Sequence, residues 1–303
     1  LATIYRDTQF TATKGKFTSK EEGEKAFSTI EGKPFTITNV TKKKGTEQPK
    51  QLYDLTSLQV DCNRKYGYSA EMTLNTIQSL YERKLTTYPR VDTQYLSDDI
   101  YPKCPQTMNG LFQTTFAGKR PYAELVKTLG GKPLPKSKRV FDSSKVTDHH
   151  AIIPTGETTS GLSTDETTIY QMVVHRFIEA FSPDSEEERM QAELTDGTNT
   201  YIWKACRSIS LGWKAVQHST GTNDEKGKEE EEQTLSVLPN LIENEVLPLL
   251  SSEITEHKTK PKPLYTEATL LSAMENAGKE VADAESKRAM AECGIGTPAT
   301  RAN

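Results

Sequence analysis

The period of the hydrophobic pattern changes along the chain, and this change constrains the fold more than composition does. Residues 35–38 alternate apolar and polar side chains, as a strand does, whereas residues 52–83 and 167–181 repeat apolar side chains at helical spacing. Strand-like alternation returns from residue 189 to 256, and residues 265–293 are helical again. This order predicts an α+β chain in which a helical block is inserted into one β domain.

Capping signals predict where several helices begin and end. Ser19 to Glu22 form a capping box, which predicts a helix reaching about Ile30. Gly67 ends the first of two later helices, and Ser69 caps the second. The apolar faces predicted for this pair consist of Leu55, Leu58, Cys62, Tyr66, Met72, Ile77, Leu80 and Tyr81. Two helices around a tight turn resemble a helix-turn-helix, although most such pairs only pack a core.

Bulk properties narrow the class of protein. A length of 303 residues suggests two or three domains, and no apolar run is long enough to predict a membrane span. The four cysteines form no Cys-x-x-Cys pair, which favours reduced thiols in a cytoplasmic protein. The first residue is leucine, and we expect the chain to be an excised piece of a longer protein.

The net charge of −4 does not indicate nucleic-acid binding, but the charge is unevenly distributed along the chain. Acidic residues concentrate at 186–188 and 224–232, and basic residues at 42–44, 132–139 and 258–262. A global charge does not exclude a local basic groove. The basic loop at 132–139 is equally compatible with salt-sensitive DNA contacts and with a plain solvated loop.

The segment Thr87-Tyr88-Pro89-Arg90 contains a possible phosphate site. Pro89 disfavours helical backbone at Tyr88, so the segment is predicted to be extended, with Tyr88 and Arg90 on one face. A guanidinium group offers a planar fork of donors to phosphate oxygens, and a deprotonated phenol can attack phosphorus. Taken alone, however, such a segment is usually structural.

Two further segments carry weaker signals. His149 and His150 precede an apolar run, and imidazole exchanges protons near neutral pH, but a half-buried structural pair is the more common case. Thr266 is predicted to cap a helix, whose N-terminus can bind phosphate. The glycine-containing loop at 294–301 is typical of a close backbone approach.

Together these segments resemble the type IA DNA topoisomerase family, most closely its topoisomerase III members. The resemblance rests on four motifs in the family's order and on Gln78-Ser-Leu-Tyr81-Glu82 before the first of them. The four motifs are Lys84-Leu-Thr-Thr-Tyr-Pro-Arg90, Asp148-His-His-Ala-Ile-Ile-Pro-Thr155, Tyr265-Thr-Glu-Ala-Thr-Leu270 and Gly294-Ile-Gly-Thr-Pro-Ala-Thr-Arg301. It covers most of residues 50–303.

The resemblance implies a role for each matching residue. Tyr88 would be the nucleophile that forms a 5′-phosphotyrosine link with one DNA strand, without ATP. Arg90 would hold the scissile phosphate, and His149 would bond that phosphate or assist proton transfer. The residues that would contact single-stranded DNA are Gln78, Tyr81 and Thr266.

The resemblance also implies a domain arrangement. A β-rich arch would comprise residues 1–50 and 183–258, with a tyrosine-bearing, CAP-like (winged-helix) domain inserted at residues 51–182. Residues 259–303 would begin a helical, DNA-binding base domain. Lifting of the arch would open a gate for a second strand.

One family element is missing from the sequence. The acidic Asp-x-Asp-x-Glu motif, with which the family's Toprim domain binds Mg²⁺, does not occur among residues 1–303. The resemblance therefore implies that the chain binds no metal itself, that its partners are DNA and the enzyme's own Toprim domain, and that the chain alone is inactive.

Two other classes compete with this interpretation. A non-catalytic DNA-binding clamp or scaffold would also carry a helix-turn-helix, but the acidic balance weighs against duplex recognition. A tyrosine recombinase would place arginines and histidines before its tyrosine, whereas here Tyr88 precedes both histidines. The sequence leaves open the oligomeric state, the DNA affinity, the preference between decatenation and relaxation, and the roles of His150 and Arg301.

Overall fold

The structure is a computed structural model that forms two compact units. It describes residues 2–5, 8–12, 17, 19–115, 119–131, 133–158, 160–218, 233–235, 237–249, 258, 261–279 and 294–302. The sheet unit comprises Leu1–Gln48, Asp184–Gly212 and Gly221–Pro261, and the helical unit comprises Pro49–Pro183, Trp213–Thr220 and Lys262–Asn303.

The described residues of the sheet unit form a seven-stranded sheet and a helix, α1 (Lys20–Ile30). Its strands are β1 (Ala2–Tyr5), β2 (Thr8–Ala12), β3 (Phe35–Glu47), β4 (Ser185–Thr195), β5 (Thr200–Ser210), β6 (Gln233–Thr234) and β7 (Val246–Leu247). The order is β1-β2-β5-β4-β3-β7, all antiparallel, and β6 pairs with β5 in parallel. The predicted mixture of helices and strands is confirmed.

The β4–β5 hairpin shows how local chemistry sets the sheet's register. Asp196 Oδ1 accepts hydrogen bonds from the amides of Thr198 and Asn199, at 2.7 and 2.6 Å, and Gly197 has φ 89°. A tight turn is favoured by an aspartate whose side chain accepts from the amides of the next residues and by a glycine at positive φ. The hairpin directs Tyr201 into the unit's core, where its hydroxyl donates to Asp196 Oδ2 at 3.0 Å.

The helical unit contains the remaining helices. They are α2 (Leu55–Tyr66), α3 (Ala70–Glu82), α4 (Cys104–Gln113), α5 (Ala123–Lys127), α6 (Thr164–Ala180), α7 (Lys214–His218) and α8 (Glu267–Glu275). Short 3-10 turns occupy Asp98–Lys103, Ser143–Lys145, Ala277–Lys279 and Thr300–Ala302.

The caps of the α2–α3 pair agree with the sequence. Gly67 ends α2 in the left-handed region with φ 71°, and the Ser69 side chain caps α3 by accepting from the Met72 amide. The prediction that Tyr66 and Tyr81 belong to the apolar faces is wrong, because they are 40% and 38% exposed. Each lies in the last turn of its helix and contacts another aromatic ring at the surface.

Helix α6 buries its predicted stripe, which includes Ile169, Val173 and Phe177, but it also buries two ionisable side chains. Arg176 Nη2 lies 2.7 Å from Asp61 Oδ2 and 2.8 Å from the Tyr53 hydroxyl. Glu179 Oε2 lies 3.5 Å from Arg176 Nε. Buried charges are tolerated when they are paired in this way, and hydrophobic periodicity alone does not reveal such a pair.

Several predictions fall partly outside the described residues. The predicted helix at 265–293 is present as α8 and the turn that follows it, and residues 280–293 lie outside the description. The acidic run at 224–232 lies outside the described residues. Cys62, Cys104 and Cys206 are buried thiols, and Cys293 is not described. Among the described residues, no helix is long and apolar enough to cross a membrane.

The residue boundaries predicted for the arch, the inserted domain and the base domain stay predictions. The two compact units divide the chain close to residues 50 and 183. Residues Lys262–Asn303 group with the helical unit, where α8 packs against α2.

Candidate active site

Tyr88 follows a sharp reversal at the end of α3. Lys84 has φ 62°, and its amide donates to the Tyr81 carbonyl at 2.8 Å. Left-handed backbone costs about 1–2 kcal/mol for a residue with a Cβ. The hydrogen bond that Thr155 Oγ1 donates to the Lys84 carbonyl at 2.6 Å offsets part of this cost. The reversal turns the chain from the helix into the extended segment that carries the tyrosine.

This extended segment pairs with the histidine segment. The Thr87 amide donates to the Ile153 carbonyl and the Thr155 amide to the Leu85 carbonyl, each at 3.0 Å, and Thr86 forms an antiparallel bridge with Pro154. The predicted extended backbone is therefore present, and two motifs that lie more than 60 residues apart in sequence become neighbours.

The Thr87 side chain adds a second connection between the two segments. Its Oγ1 accepts from the Ile153 amide at 3.0 Å and donates to the Ala151 carbonyl at 3.2 Å. A hydroxyl that both accepts and donates fixes the two backbones more tightly than the ladder alone. Thr87 directly precedes Tyr88, so the contact also fixes the base of the tyrosine side chain.

Three aromatic rings meet at this point. The ring centroids of Tyr88 and His149 lie 4.4 Å apart, with the rings tilted by 39°. The rings of Tyr81 and Tyr88 lie 5.5 Å apart, edge to face. Tyr88 is half-buried, whereas Tyr81 and His149 are exposed. The structure thus brings together three of the residues predicted from sequence.

The two histidines are in different surroundings. His150 is half-buried, and its Nδ1 lies 2.8 Å from the Ala151 carbonyl oxygen. Burial lowers the pKa of His150 below the usual histidine value, because the charged form is poorly solvated there. His149 instead presents its ring to Tyr88.

Gln78 lies in the last turns of α3, three residues before Tyr81. Its Nε2 donates to Glu82 Oε1 at 3.2 Å. Within the part of the chain that the structure describes, Gln78 Oε1 is buried and has no hydrogen-bond partner. A buried acceptor without a donor is uncommon in folded proteins. Arg90, two residues after Tyr88, is exposed.

Thr266 is not grouped with these residues. It caps α8 as predicted, since its side chain accepts from the Thr269 amide at 3.2 Å. The adjacent Glu267 accepts from the Ala70 amide, in the first turn of α3. Tyr81 lies in the last turn of α3, and at about 1.5 Å per residue Ala70 and Tyr81 are about 16 Å apart along the helix axis.

Sequence reasoning missed the clamp that holds the end of α3. Arg83 Nη1 lies 3.1 Å from Glu166 Oε2, and Ser79 Oγ donates to Glu166 Oε1 at 2.8 Å. Glu166 also accepts from the Ser163 amide, and this bond is the main cause that lowers the pKa of its carboxyl. The signal that could have revealed it is the Ser163-x-x-Glu166 capping box.

The surroundings of Tyr88 do not fit a magnesium ion by themselves. Mg²⁺ prefers carboxylate and water oxygens, whereas the rings packed against Tyr88 are a phenol and an imidazole. Across the described ranges, no group of three or more His, Cys, Asp or Glu residues could hold a metal ion.

A mixed helix-and-strand fold that sets a tyrosine against a histidine is compatible with enzymes that act on phosphate esters. A family model described as DNA topoisomerase matches residues 2–303. The chain therefore belongs to the type IA DNA topoisomerase family.

The chain is also similar to curated proteins named DNA topoisomerase 3. The chain is 36% identical over 280 residues to DNA topoisomerase 3 of Bacillus licheniformis, a match that covers 90% of this chain and 37% of that protein. It is 38% identical over 276 residues to a DNA topoisomerase 3 of Bacillus cereus, with coverage of 88% and 36%. The chain thus spans little more than a third of these relatives.

A solved structure shares the fold. Full-length topoisomerase I from Thermotoga maritima superposes with a TM-score of 0.60 at 20% identity. The match covers 97% of this chain and 43% of that one. At this identity the likeness supports the fold alone.

Proposed function

We propose that this chain is the central part of an ATP-independent type IA DNA topoisomerase that cuts and rejoins one DNA strand through Tyr88. The observation that carries the proposal is the placement of Tyr88 against His149, fixed by hydrogen bonds between their two segments. Family membership and the topoisomerase 3 relatives support the same reaction.

The reaction is an exchange of esters. Tyr88 Oη loses its proton and forms a bond to phosphorus, while the bond from phosphorus to the 3′ oxygen breaks and that oxygen takes up a proton. The products are a 5′-phosphotyrosine and a free 3′ hydroxyl. One ester replaces another, so the reverse step can reseal the strand without ATP.

The neighbouring residues would bind the DNA and assist the reaction. Arg90 is exposed and can offer its guanidinium donors to the scissile phosphate, whose charge grows during attack. His149 lies close enough to Tyr88 to bond the same phosphate or to take part in proton transfer. The exposed ring of Tyr81 can stack on a base of single-stranded DNA.

Two more residues would contact the same strand. Gln78, three residues before Tyr81 on α3, would hydrogen-bond a base at the site. Thr266 would contact a phosphate farther along, at the N-terminus of α8. A path that passes both residues would have to follow the length of α3.

The metal-binding half of the site would come from outside these 303 residues. The sequence contains no Asp-x-Asp-x-Glu motif, and the curated relatives are far longer than this chain. When bound, Mg²⁺ would be held by a Toprim domain and would stabilise negative charge at the scissile phosphate. We therefore propose that the isolated chain binds but does not relax DNA.

Relaxation of a negatively supercoiled plasmid tests this proposal. We expect the full-length enzyme that contains this chain to relax the plasmid with Mg²⁺, and Tyr88→Phe to abolish relaxation while single-strand binding is retained. A conservative Arg90→Lys control should retain more activity than Arg90→Ala. Relaxation of the plasmid by the isolated chain would contradict the proposal that the metal-binding half of the site lies outside these 303 residues.

The second candidate is a non-catalytic clamp that binds DNA without cutting it. The helix pair α2–α3 and the distance of Thr266 from Tyr88 are compatible with binding alone. If Tyr88→Phe relaxed plasmid as fast as the unmodified enzyme, the clamp would be the better description of this chain.

A further inference from the structure

The helical unit contains a polar cavity of about 540 Å³ between α2, α6 and α8, here called the Arg64 pocket. Four cations line it: Lys50, Arg64, Arg139 and Arg176. Tyr88, Arg90 and His149 are not among its lining residues. The pocket is therefore separate from the candidate active site, although both belong to one compact unit.

Both carboxylates that line the pocket are paired with guanidinium groups. Asp61 Oδ2 lies 2.7 Å from Arg176 Nη2, and Glu275 Oε1 lies 3.9 Å from Arg301 Nη1. Arg301 itself is almost fully buried behind the pocket, where Nη1 also donates to Thr56 Oγ1 at 3.3 Å. The two negative charges are thus offset locally, and the field in the pocket favours an anion.

The rest of the wall favours a phosphate ester over a flat base. Gln51, Gln94, Ser57, Ser272 and the apolar Val60 also line the pocket. The hydroxyls of Ser57 and Ser272 donate within the fold, to Asp54 Oδ1 and to the Ala268 carbonyl. No aromatic side chain is among the described residues that line the cavity, so a base has no ring on which to stack. A volume in the range of small-ligand pockets is larger than a bare phosphate needs.

We propose that the Arg64 pocket binds the sugar-phosphate backbone of a single DNA strand, at a contact separate from Tyr88. This inference rests on the proposed action on DNA. Arg64 is exposed at the mouth of the pocket and would donate to phosphate oxygens, with Arg139 beside it. Arg301 acts indirectly, because it offsets Glu275 on the α8 wall.

The test measures binding of a fluorescent single-stranded oligonucleotide to the full-length enzyme across a range of salt concentrations. Arg64→Ala should weaken binding about tenfold at low salt, as expected for one lost charge-assisted contact. It should also lower the slope of log affinity against log salt by about 1. Arg120→Ala is the matched control, since Arg120 is also exposed in the helical unit but does not line the pocket.

An oligonucleotide with abasic sites distinguishes backbone from base recognition. The fold-loss caused by Arg64→Ala should be the same with and without the bases. If the loss disappeared on the abasic strand, a base would be the recognised group, and the backbone assignment would be overturned.

Failure of this proposal can be separated from failure of the proposed function. If Arg64→Ala and the charge reversal Arg64→Glu bound DNA like the unmodified enzyme, while Tyr88→Phe still abolished relaxation, the pocket would have no role in DNA binding and the topoisomerase assignment would stand. If Tyr88→Phe relaxed plasmid normally, the catalytic proposal would fail whatever Arg64 does.

Discussion

Thr87→Val isolates the contact that places Tyr88 against His149. Valine keeps the branched shape of threonine but removes the hydroxyl, which bonds the Ile153 amide at 3.0 Å and the Ala151 carbonyl at 3.2 Å. Because Ile153 is buried, its amide would be left without a partner. An unsatisfied buried donor costs about 1–3 kcal/mol.

Urea unfolding of the chain measures the stability part of this prediction. With a denaturant slope of about 3 kcal/mol per molar, a loss of about 2 kcal/mol lowers the unfolding midpoint by roughly 0.7 M. Thr87→Ser keeps the hydroxyl and should restore most of the lost stability. This control separates the hydrogen bond from the packing of the side chain.

Cleavage by the full-length enzyme measures the functional part. A misplacement of about 1 Å at a reacting group can cost about 10²-fold in rate, so Thr87→Val should slow cleavage by tens of fold under conditions in which it stays folded. Thr87→Ser should cleave at close to the original rate. If Thr87→Val unfolded at the same urea concentration and cleaved at the same rate as the unmodified enzyme, Thr87 would not position Tyr88.

Three further changes test the helical unit by urea unfolding. Arg176→Met should destabilise the helical unit by about 3–5 kcal/mol, because Asp61 and Glu179 lose their buried partner. The double variant Arg176→Met, Glu179→Leu should recover part of this stability, and an equal loss in the single and double variants would contradict the prediction. Burial raises the pKa of Glu179 to about 7, against the attraction of Arg176, so the folded state holds a proton that the unfolded state releases between about pH 4.5 and 7. The chain therefore loses stability as pH rises through this window. Glu179→Gln cannot ionise, so the free energy of unfolding of this variant should rise relative to that of the unmodified chain from pH 5 to pH 8. A stability difference that does not change with pH would refute this. Gly110→Ala should cost about 1–3 kcal/mol, because a Cβ there overlaps the Gly156 carbonyl, and an unchanged midpoint would show that the two backbones can move apart.

Local signals predicted much of the secondary structure. The caps at Ser19, Ser69 and Thr266 and the Gly67 stop act through neighbours close in sequence. Such signals depend on the chemistry of a few adjacent residues, and a single sequence displays that chemistry directly.

The contacts that build the candidate site were not predictable in the same way. The pairing of residues 84–88 with 151–155 joins segments far apart in sequence, and nothing in either segment encodes its partner. The burial of Arg176 and Glu179 was also missed, because a charged residue on a helix is usually exposed. Tyr66 and Tyr81 were placed on the apolar helix faces by helical spacing, although both rings lie at the surface.

The motif resemblance predicted site residues that hydrophobic periodicity does not reveal. It selected His149 over His150, and in the structure it is His149 that packs on Tyr88 while His150 contacts the Ala151 carbonyl. Thr266 is a cap in the structure, as predicted, but its DNA contact stays a prediction because it lies at the other end of α3.

Trapping the covalent intermediate tests the central claim most directly. The full-length enzyme is incubated with Mg²⁺ and single-stranded oligonucleotides labelled at either end, and the reaction is then stopped with denaturant. We expect the 3′-labelled strand to become attached to protein and the 5′-labelled strand to be released as a shorter fragment, with both products lost in Tyr88→Phe. An adduct that persisted in Tyr88→Phe, or one attached to the 5′-labelled fragment, would contradict a 5′-phosphotyrosine at Tyr88.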